Sequence, residues 1–144
     1  MLKNKVVNRI GKIMVAAVVS AICLSGCASS GGAEYRQVDM NEAVEMMENE
    51  KDYIILDVRT EQEFEEQHIP NAINVPNETI GTKEIPELPD KEQLIMVYCR
   101  SGNRSKQASE KLVKIGYSNI VEFGGMKDWP GETVSGKFDV GMMS

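Results

Sequence analysis

The stretch LIMVYCRSGNRS, residues 94–105, joins an apolar run to a short polar segment through a cysteine. The apolar run is typical of a strand that is buried on both faces of a parallel sheet. The small residues after Cys99 predict a tight turn, because Gly102 tolerates backbone angles that other residues avoid. Apolar residues at helical spacing then predict a helix over residues 104–115. The stretch therefore predicts a strand, a turn and a helix, with a thiol where the strand ends.

The rest of the chain continues this alternation of strands and helices. Strands are predicted at residues 35–38, 53–58, 72–75, 94–98 and 119–123. Helices are predicted from a start at Asp39, over residues 61–66 with Thr60 as the cap, and over residues 104–115. Residues 77–91, which hold two prolines and several acids, are interpreted as a surface connection. The alternation predicts an α/β domain with a mainly parallel sheet, in which ligands bind at the carboxyl ends of the strands.

The N-terminal segment has the pattern of an export signal. Residues 1–12 carry four basic residues and no acid, and residues 13–24 (IMVAAVVSAICL) are almost wholly apolar. A basic head before a short apolar segment is typical of a secretory signal peptide, and the apolar part is short for a membrane span. The next residues, LSGC (24–27), resemble the lipobox of bacterial lipoproteins. That resemblance implies cleavage before Cys27 and lipidation of this cysteine.

These signals predict four parts in the chain. They are a lipoprotein signal peptide (1–26), a lipidated flexible tether (27–34), a folded domain (35–136) and a C-terminal tail (137–144). The tether is predicted from the small residues ASSGG that follow Cys27. An ordinary signal peptide, cut after small residues, is the alternative and leaves Cys27 without a role. We expect the protein to be exported and lipid-anchored on the outer face of a bacterial membrane.

The charge of the chain argues against nucleic acid as a partner. The sequence has 16 basic and 22 acidic residues. Loss of the predicted signal peptide removes four basic residues and no acid, which leaves 12 against 22 and a net charge of −10. An acidic domain of this kind is not expected to bind nucleic acid. Its membrane contact would depend on the lipid anchor, because an anionic surface would repel it.

The three cysteines have different predicted fates. Cys23 leaves with the signal peptide and Cys27 is lipidated, so Cys99 has no intramolecular disulfide partner. The turn after Cys99 can direct N–H groups inward, and the next helix points its positive end at the same place. With Arg100 and Arg104 these groups would stabilise a thiolate and attract an anion. A buried, inert cysteine is the alternative, but the arginines and the turn favour a reactive thiol.

Four ordered motifs resemble those of rhodanese-type sulfurtransferases. CRSGNRS (99–105) resembles the active-site loop of that family, and LDVR (56–59) resembles its strand-end signature. EFEEQHIPNAINV (63–75), with Asn71 where glycine is usual, and GGMKDW (124–129) resemble two further signatures. The resemblance covers about residues 35–136. It implies a rhodanese-like α/β fold whose mainly parallel central sheet is flanked by helices on both faces.

The resemblance also implies a reaction and the residues that carry it. In that family a cysteine thiolate takes a sulfane sulfur from an anionic donor such as thiosulfate, and the resulting persulfide passes it to cyanide or a thiol. Cys99 would be this nucleophile, with no cofactor and no metal. The anion would bind to the loop residues Arg100, Ser101, Gly102, Asn103, Arg104 and Ser105. Asp57 and Arg59 lie at a neighbouring strand end, where a structural ion pair and a substrate contact are both open.

Two other functions are weighed against this one. An extracytoplasmic persulfide relay or protein-binding module, with a protein partner that the sequence does not name, is the first alternative. A cysteine phosphatase or arsenate-reductase-like enzyme is less favoured. Phosphatase loops typically place an arginine six positions after the cysteine, whereas Arg104 comes at five and Ser105 at six. His68, the only histidine, is interpreted as structural rather than as a general base.

Overall fold

A five-stranded parallel sheet forms the centre of residues 34–137, the part of the chain that the structure, a computed structural model, describes. The strands are β1 (Arg36–Gln37), β2 (Tyr53–Asp57), β3 (Ile73–Asn74), β4 (Leu94–Cys99) and β5 (Ile120–Gly125). Their order across the sheet is β1-β5-β4-β2-β3, and every neighbouring pair is parallel. This arrangement confirms the predicted α/β fold. It also places β4, which ends on Cys99, in the middle of the sheet.

Some predictions lie outside the described residues. They concern the signal peptide, the lipidation of Cys27, most of the tether and most of the C-terminal tail. Within residues 34–137, no helix is both long and apolar enough to cross a membrane.

Helices cover both faces of the sheet. They are α1 (Met40–Asn49), α2 (Glu61–Glu66) and α3 (Asn103–Ile115). Residues from α1 and α2 pack in one apolar cluster, which includes Ala43 and Phe64, whereas α3 packs in the other through Ala108 and Leu112. Successive side chains of a strand point to opposite faces. Cys99 therefore lies in the cluster on the α3 side of the sheet.

The helices begin where the sequence signals predicted. The Asp39 side chain accepts a hydrogen bond from the Glu42 N–H at 2.9 Å and caps α1. Thr60 and Glu63 form a reciprocal capping box at the start of α2. Caps of this kind stabilise a helix by about 1 kcal/mol each. Helix α3 begins at Asn103, one residue earlier than predicted, because Gly102 takes the capping position.

Residues 77–91 differ from their prediction as a surface connection. They contain a short 3-10 turn, Asn77–Thr79, and then bury Ile80, Ile85 and Leu88 in the apolar cluster beside α3. The buried Tyr117 hydroxyl donates to the Leu88 carbonyl at 2.7 Å and holds the segment in place. The prolines and acids indicated exposure, but the apolar residues between them cover one face of the sheet.

Strand β5 is longer at its carboxyl end than the predicted strand over residues 119–123. It continues through Gly124 to Gly125. The ladder between β4 and β5 shifts register after Val97, so Cys99 lies opposite Gly125. An irregularity of this kind can redirect the side chains beside it. The extension brings a glycine directly beside the cysteine.

Candidate active site

The Cys99 sulfur lies beneath a tight turn at the carboxyl end of β4. The residue is 1% exposed, and the backbone N–H of Gly102 donates a hydrogen bond to Sγ at 3.0 Å. Gly102 has φ +102°, a left-handed conformation that glycine adopts without steric cost. The Ser105 hydroxyl, on the first turn of α3, lies 3.5 Å from the same sulfur. The structure thus brings Cys99, Gly102 and Ser105 together at the N-terminus of a helix.

These contacts favour the ionised form of the thiol. Burial is the largest influence and raises the pKa of Cys99, but hydrogen bonds to the sulfur outweigh it and leave the pKa below its ordinary value. The bonds come from the Ser105 hydroxyl and from the N–H groups of Ser105, Gly102 and Ser101. Because the thiolate is the nucleophilic form of cysteine, the site is built for nucleophilic attack.

Gly125 holds the turn from the β5 side. A Cβ atom at this position would lie 2.0 Å from the carbonyl oxygen of Arg100, a distance that no real contact allows. The Lys127 N–H donates to the same carbonyl oxygen at 3.4 Å. The turn therefore packs directly on the backbone of β5, which is the physical reason for a glycine at position 125.

A cleft of about 580 Å³ opens beside the turn. Arg100 and Lys127 are exposed and bring positive charge to its lining. The Arg100 side chain forms no salt bridge to any residue between 34 and 137. Its charge is thus available to an anion that enters the cleft. Ser101 and Asn103 are exposed at the surface of the turn.

Arg104 has a protein partner. Its guanidinium donates to both carboxylate oxygens of Glu63, at 2.7 and 2.9 Å, and so ties α3 to α2. The hydrogen bond from Arg104 is the main cause that lowers the pKa of Glu63 to about 2. An anion at the turn would compete with this carboxylate for Arg104. A role of Arg104 in anion binding stays a prediction.

Asp57 and Arg59 form a buried ion pair. Arg59 Nη2 lies 2.6 Å from Asp57 Oδ2, and the Tyr98 hydroxyl donates to the same oxygen at 2.6 Å. Arg59 Nη2 also donates to the Gln67 carbonyl at 2.6 Å, which connects the strands to the end of α2. Burial is the main cause that raises the pKa of Tyr98 above its ordinary value. The geometry favours the structural interpretation of the pair, although Arg59 also lines the cleft.

His68 has a structural environment. Its ring is buried and stacks on Phe64 with the ring centroids 3.7 Å apart. Nδ1 lies 2.7 Å from the Phe64 carbonyl oxygen, which can only accept, so Nδ1 carries the hydrogen. The backbone of His68 pairs with Val134 in an isolated antiparallel bridge. These contacts agree with the interpretation of His68 as a structural residue.

Comparison with known proteins gives this arrangement a family. The model of the Rhodanese-like domain matches residues 39–132, most of the chain. The chain belongs to this family. The rhodanese-like domain is 36% identical over 73 residues to the thiosulfate sulfurtransferase PspE of Escherichia coli, a match that covers 51% of this chain and 70% of PspE.

Two further relatives agree with this assignment. The thiosulfate sulfurtransferase GlpE of Coxiella burnetii is 33% identical over 96 residues, which cover 66% of this chain and 87% of GlpE. Among solved structures, a rhodanese with anions from E. coli superposes with a TM-score of 0.54 and 33% identity. That superposition covers 58% of this chain and 99% of the other.

One residue of the rhodanese-like site was missed by the sequence analysis. Glu122, in the middle of β5, is buried, and its Oε1 accepts hydrogen bonds from Ser105 Oγ at 2.6 Å and from the Gly124 N–H at 2.9 Å. The signal was an acid within the apolar strand IVEFGG. The role of this acid follows from its contact with Ser105, which is 17 residues away in the sequence.

Residues 34–137 hold no group of three or more His, Cys, Asp or Glu side chains that could bind a metal ion.

Proposed function

We propose that this rhodanese-like sulfurtransferase accepts a sulfane sulfur from an anionic donor such as thiosulfate on Cys99 and passes it to a thiophile such as cyanide or a thiol. The observation that carries the proposal is the Cys99 sulfur under the turn, with the Gly102 N–H at 3.0 Å and a lowered thiol pKa. The relatives PspE and GlpE are both named thiosulfate sulfurtransferases, which supports thiosulfate as the donor.

The reaction takes place in two steps. The Cys99 thiolate attacks the outer sulfur of thiosulfate, the sulfur–sulfur bond of the donor breaks, and sulfite leaves with the electron pair. A persulfide remains on Cys99, and its terminal sulfur is anionic. The acceptor then attacks this terminal sulfur and the thiolate leaves.

The same contacts serve both steps. N–H groups that stabilise the thiolate make it available for attack, and they stabilise it again when it becomes the leaving group. Arg100 faces the cleft and would pair with the charged oxygens of the donor. Because the whole arrangement is already formed in the folded chain, little reorganisation is needed when the donor arrives.

The proposal is tested by intact mass. We expect the chain without its predicted signal peptide to gain the mass of one sulfur atom after incubation with thiosulfate, and we expect Cys99→Ser to gain none. Cyanide should then remove the added mass from the wild-type protein. An unchanged wild-type mass together with turnover of an aryl phosphate would refute the sulfurtransferase and favour the phosphatase alternative.

The relay alternative differs from the small-molecule reaction because its sulfur donor or acceptor is a protein. If the persulfide forms on Cys99 but neither cyanide nor a small thiol removes it, the acceptor would be a protein. The phosphatase alternative is weakened by the family assignment and by Glu63, which pairs with Arg104, the arginine one position before that of phosphatase loops. We therefore rank the small-molecule reaction first and the relay second.

We further propose that the protein is exported and lipid-anchored through Cys27. The support is the basic head, the short apolar segment and the LSGC sequence. With a net charge of −10 after cleavage, the folded domain would not adhere to an anionic membrane by itself.

A further inference from the structure

A buried carboxylate lies behind the active-site sulfur. Glu122 is 3% exposed, Ser105 is fully buried, and Cys99 is 1% exposed. The three residues come from different elements, β5, α3 and β4, and they meet on the α3 side of the sheet. A charged side chain is costly to bury unless it is hydrogen-bonded. Its place next to the nucleophile therefore calls for an explanation.

The hydroxyl of Ser105 connects the carboxylate to the sulfur. Ser105 Oγ lies 2.6 Å from Glu122 Oε1, 2.9 Å from the Gly102 carbonyl and 3.5 Å from the Gly124 carbonyl. The single hydroxyl hydrogen goes to Glu122, because short O–H···O contacts are typical of a carboxylate acceptor. The oxygen lone pairs of Ser105 are then free to accept from the Cys99 thiol, 3.5 Å away.

A conflict arises when the thiol ionises. The thiolate needs the Ser105 hydrogen, since the Ser105 hydroxyl is one of the donors that stabilise it. Glu122 holds that same hydrogen at 2.6 Å while it is ionised. One hydrogen cannot serve both acceptors. Both are satisfied when Glu122 receives the hydrogen and Ser105 receives the proton of the thiol.

We propose that Glu122 is a positioning residue that accepts the Cys99 proton through Ser105. The S–H bond of Cys99 breaks as Ser105 Oγ takes its proton, and the original Ser105 hydrogen forms an O–H bond with Glu122 Oε1. The negative charge thereby moves from the carboxylate to the sulfur, with no oxidation or reduction. The reverse transfer returns the proton when Cys99 leaves as a free thiol.

The carboxylate lies toward a second opening of the domain. Glu122 lines a cleft of about 510 Å³ that shares no lining residue with the cleft beside Arg100. The other titratable side chains in its lining are Asp39 at the cap of α1, Lys106 on α3 and Asp128 after β5. Within residues 34–137, the Glu122 carboxylate accepts hydrogen bonds from Ser105 and Gly124 alone. Proton transfer and donor entry would use different sides of the turn.

The charged groups near the Cys99 sulfur differ from those near Glu122. Arg104 interacts with Cys99 through its charge while it is paired with Glu63. On the neighbouring strand β1, Gln37 lies in register with Glu122 and is uncharged. Replacement of Glu122 by a neutral residue therefore removes a negative charge near the sulfur. That change alone would shift the midpoint of thiol ionisation but not the shape of its pH profile.

The test measures the shape of this profile in the full chain. Iodoacetamide reacts with the thiolate and requires neither thiosulfate nor the arginines. The rate is followed on the Cys99 peptide by mass from pH 4 to pH 10, so that the other cysteines do not contribute. Because the inference rests on Cys99 being the nucleophile of the proposed function, sulfur loading from thiosulfate is measured separately. Failure of loading would leave the alkylation result intact.

Wild-type protein should show a plateau at acid pH. A proton that is shared within the chain is not released to solvent, so the reactive fraction stays constant over the range in which the pair holds one proton. Glu122→Gln keeps the size of the side chain and an acceptor oxygen for Ser105, but it cannot take a proton. We expect its rate to fall about tenfold for each pH unit below the midpoint, without a plateau. Ser105→Ala should lose the plateau as well.

Asp128→Asn is the matched control, because it removes another carboxylate from the same cleft without touching Ser105 or Cys99. It should keep the wild-type plateau. A wild-type profile without a plateau would overturn the inference. This result needs no variant, so a folding defect cannot explain it. A plateau that persists in Glu122→Gln would overturn it equally.

Discussion

At the scale of single residues, the site depends on where the backbone can approach the sulfur. Gly102 supplies a left-handed conformation and an N–H directed at Cys99. Gly125 has no side chain, so the Arg100 carbonyl can pack directly against β5. The N–H donors around the sulfur are therefore backbone groups, whose positions cannot change by rotamer motion. This makes the turn sensitive to small changes of shape.

Gly125→Ala should displace the turn. The added Cβ would lie 2.0 Å from the Arg100 carbonyl oxygen, so the backbone of the turn has to shift. A shift of about 1 Å at a reacting atom can cost on the order of a hundredfold in rate. We expect the rate of persulfide formation with thiosulfate to fall by that order, while far-ultraviolet circular dichroism shows a folded domain.

Gly81→Ala provides the comparison for that variant. A Cβ at Gly81 meets no atom within 4 Å, and its backbone is not in the left-handed region. It should leave the rate of sulfur loading unchanged. Equal rates for Gly125→Ala and the wild type would show that the turn does not need the close approach to β5.

At the scale of the elements, the Glu63–Arg104 pair connects α2 to α3, the helix that begins at the active-site turn. The pair is bidentate and partly exposed. It belongs to two local structures, because Glu63 also completes the capping box of α2. The pair therefore couples the start of α3, and with it the turn, to the opposite face of the sheet.

Glu63→Gln isolates the ionic part of this contact, since glutamine also completes a capping box. The pKa of Glu63 falls from an ordinary 4.5 to about 2, chiefly through Arg104. Stability from the pair is therefore present above about pH 4.5 and is lost as the pH falls through about 2. We expect Glu63→Gln to lower the free energy of unfolding in urea by about 1 kcal/mol at pH 7. The difference from the wild type should shrink toward pH 2.

Glu110→Gln, at an exposed position of α3, serves as the control and should show no such pH dependence. A deficit of Glu63→Gln that is the same at pH 7 and near pH 2 would contradict an ionic contribution.

The predictability of the elements follows from the range of the forces involved. Asp39 and Thr60 cap their helices through contacts three residues away, and the sequence alone indicated both. The burial of Ile85 depends on the position of Tyr117, 32 residues later, and was not foreseen. Local hydrogen bonds can be read from spacing, whereas the partners of a buried segment are decided by the packed fold.

The candidate site shows the same division. Cys99 and Gly102 lie in one short stretch whose turn and charge were recognisable from the sequence. The partner of Arg104 lies 41 residues away on α2, and Glu122 lies on a predicted strand in which no site residue was expected. Residue types and local spacing therefore indicated the nucleophile. They did not indicate which charges are already paired.

At the scale of the whole molecule, the proposed anchor and the catalytic domain are separate in the sequence. The rhodanese-like domain spans residues 39–132, so it begins 12 residues after Cys27. Lipidation of Cys27 would therefore leave the domain unaltered. Several acyl chains together hold a protein on a bilayer, at about 0.8 kcal/mol for each buried CH₂. Location and chemistry are thus expected to be separable by mutation.

Cys27→Ser should release the protein from membranes without loss of sulfur transfer. In cells given a labelled fatty acid, we expect the wild type to incorporate label and the variant to incorporate none. Cys23→Ser, within the predicted signal peptide, should still be labelled and is the matched control. Acyl labelling that is unaffected by Cys27→Ser would refute the lipid anchor at this position.

The contact between Gly125 and the Arg100 carbonyl also has an evolutionary consequence. Two segments that are far apart in the sequence share one fixed space, so neither can drift independently. A descendant of this chain that acquires a side chain at position 125 would have to inherit a redirected turn after Cys99 at the same time. Lineages should therefore keep glycine at position 125 for as long as they keep this turn, and exchange both together when the chemistry of the site changes.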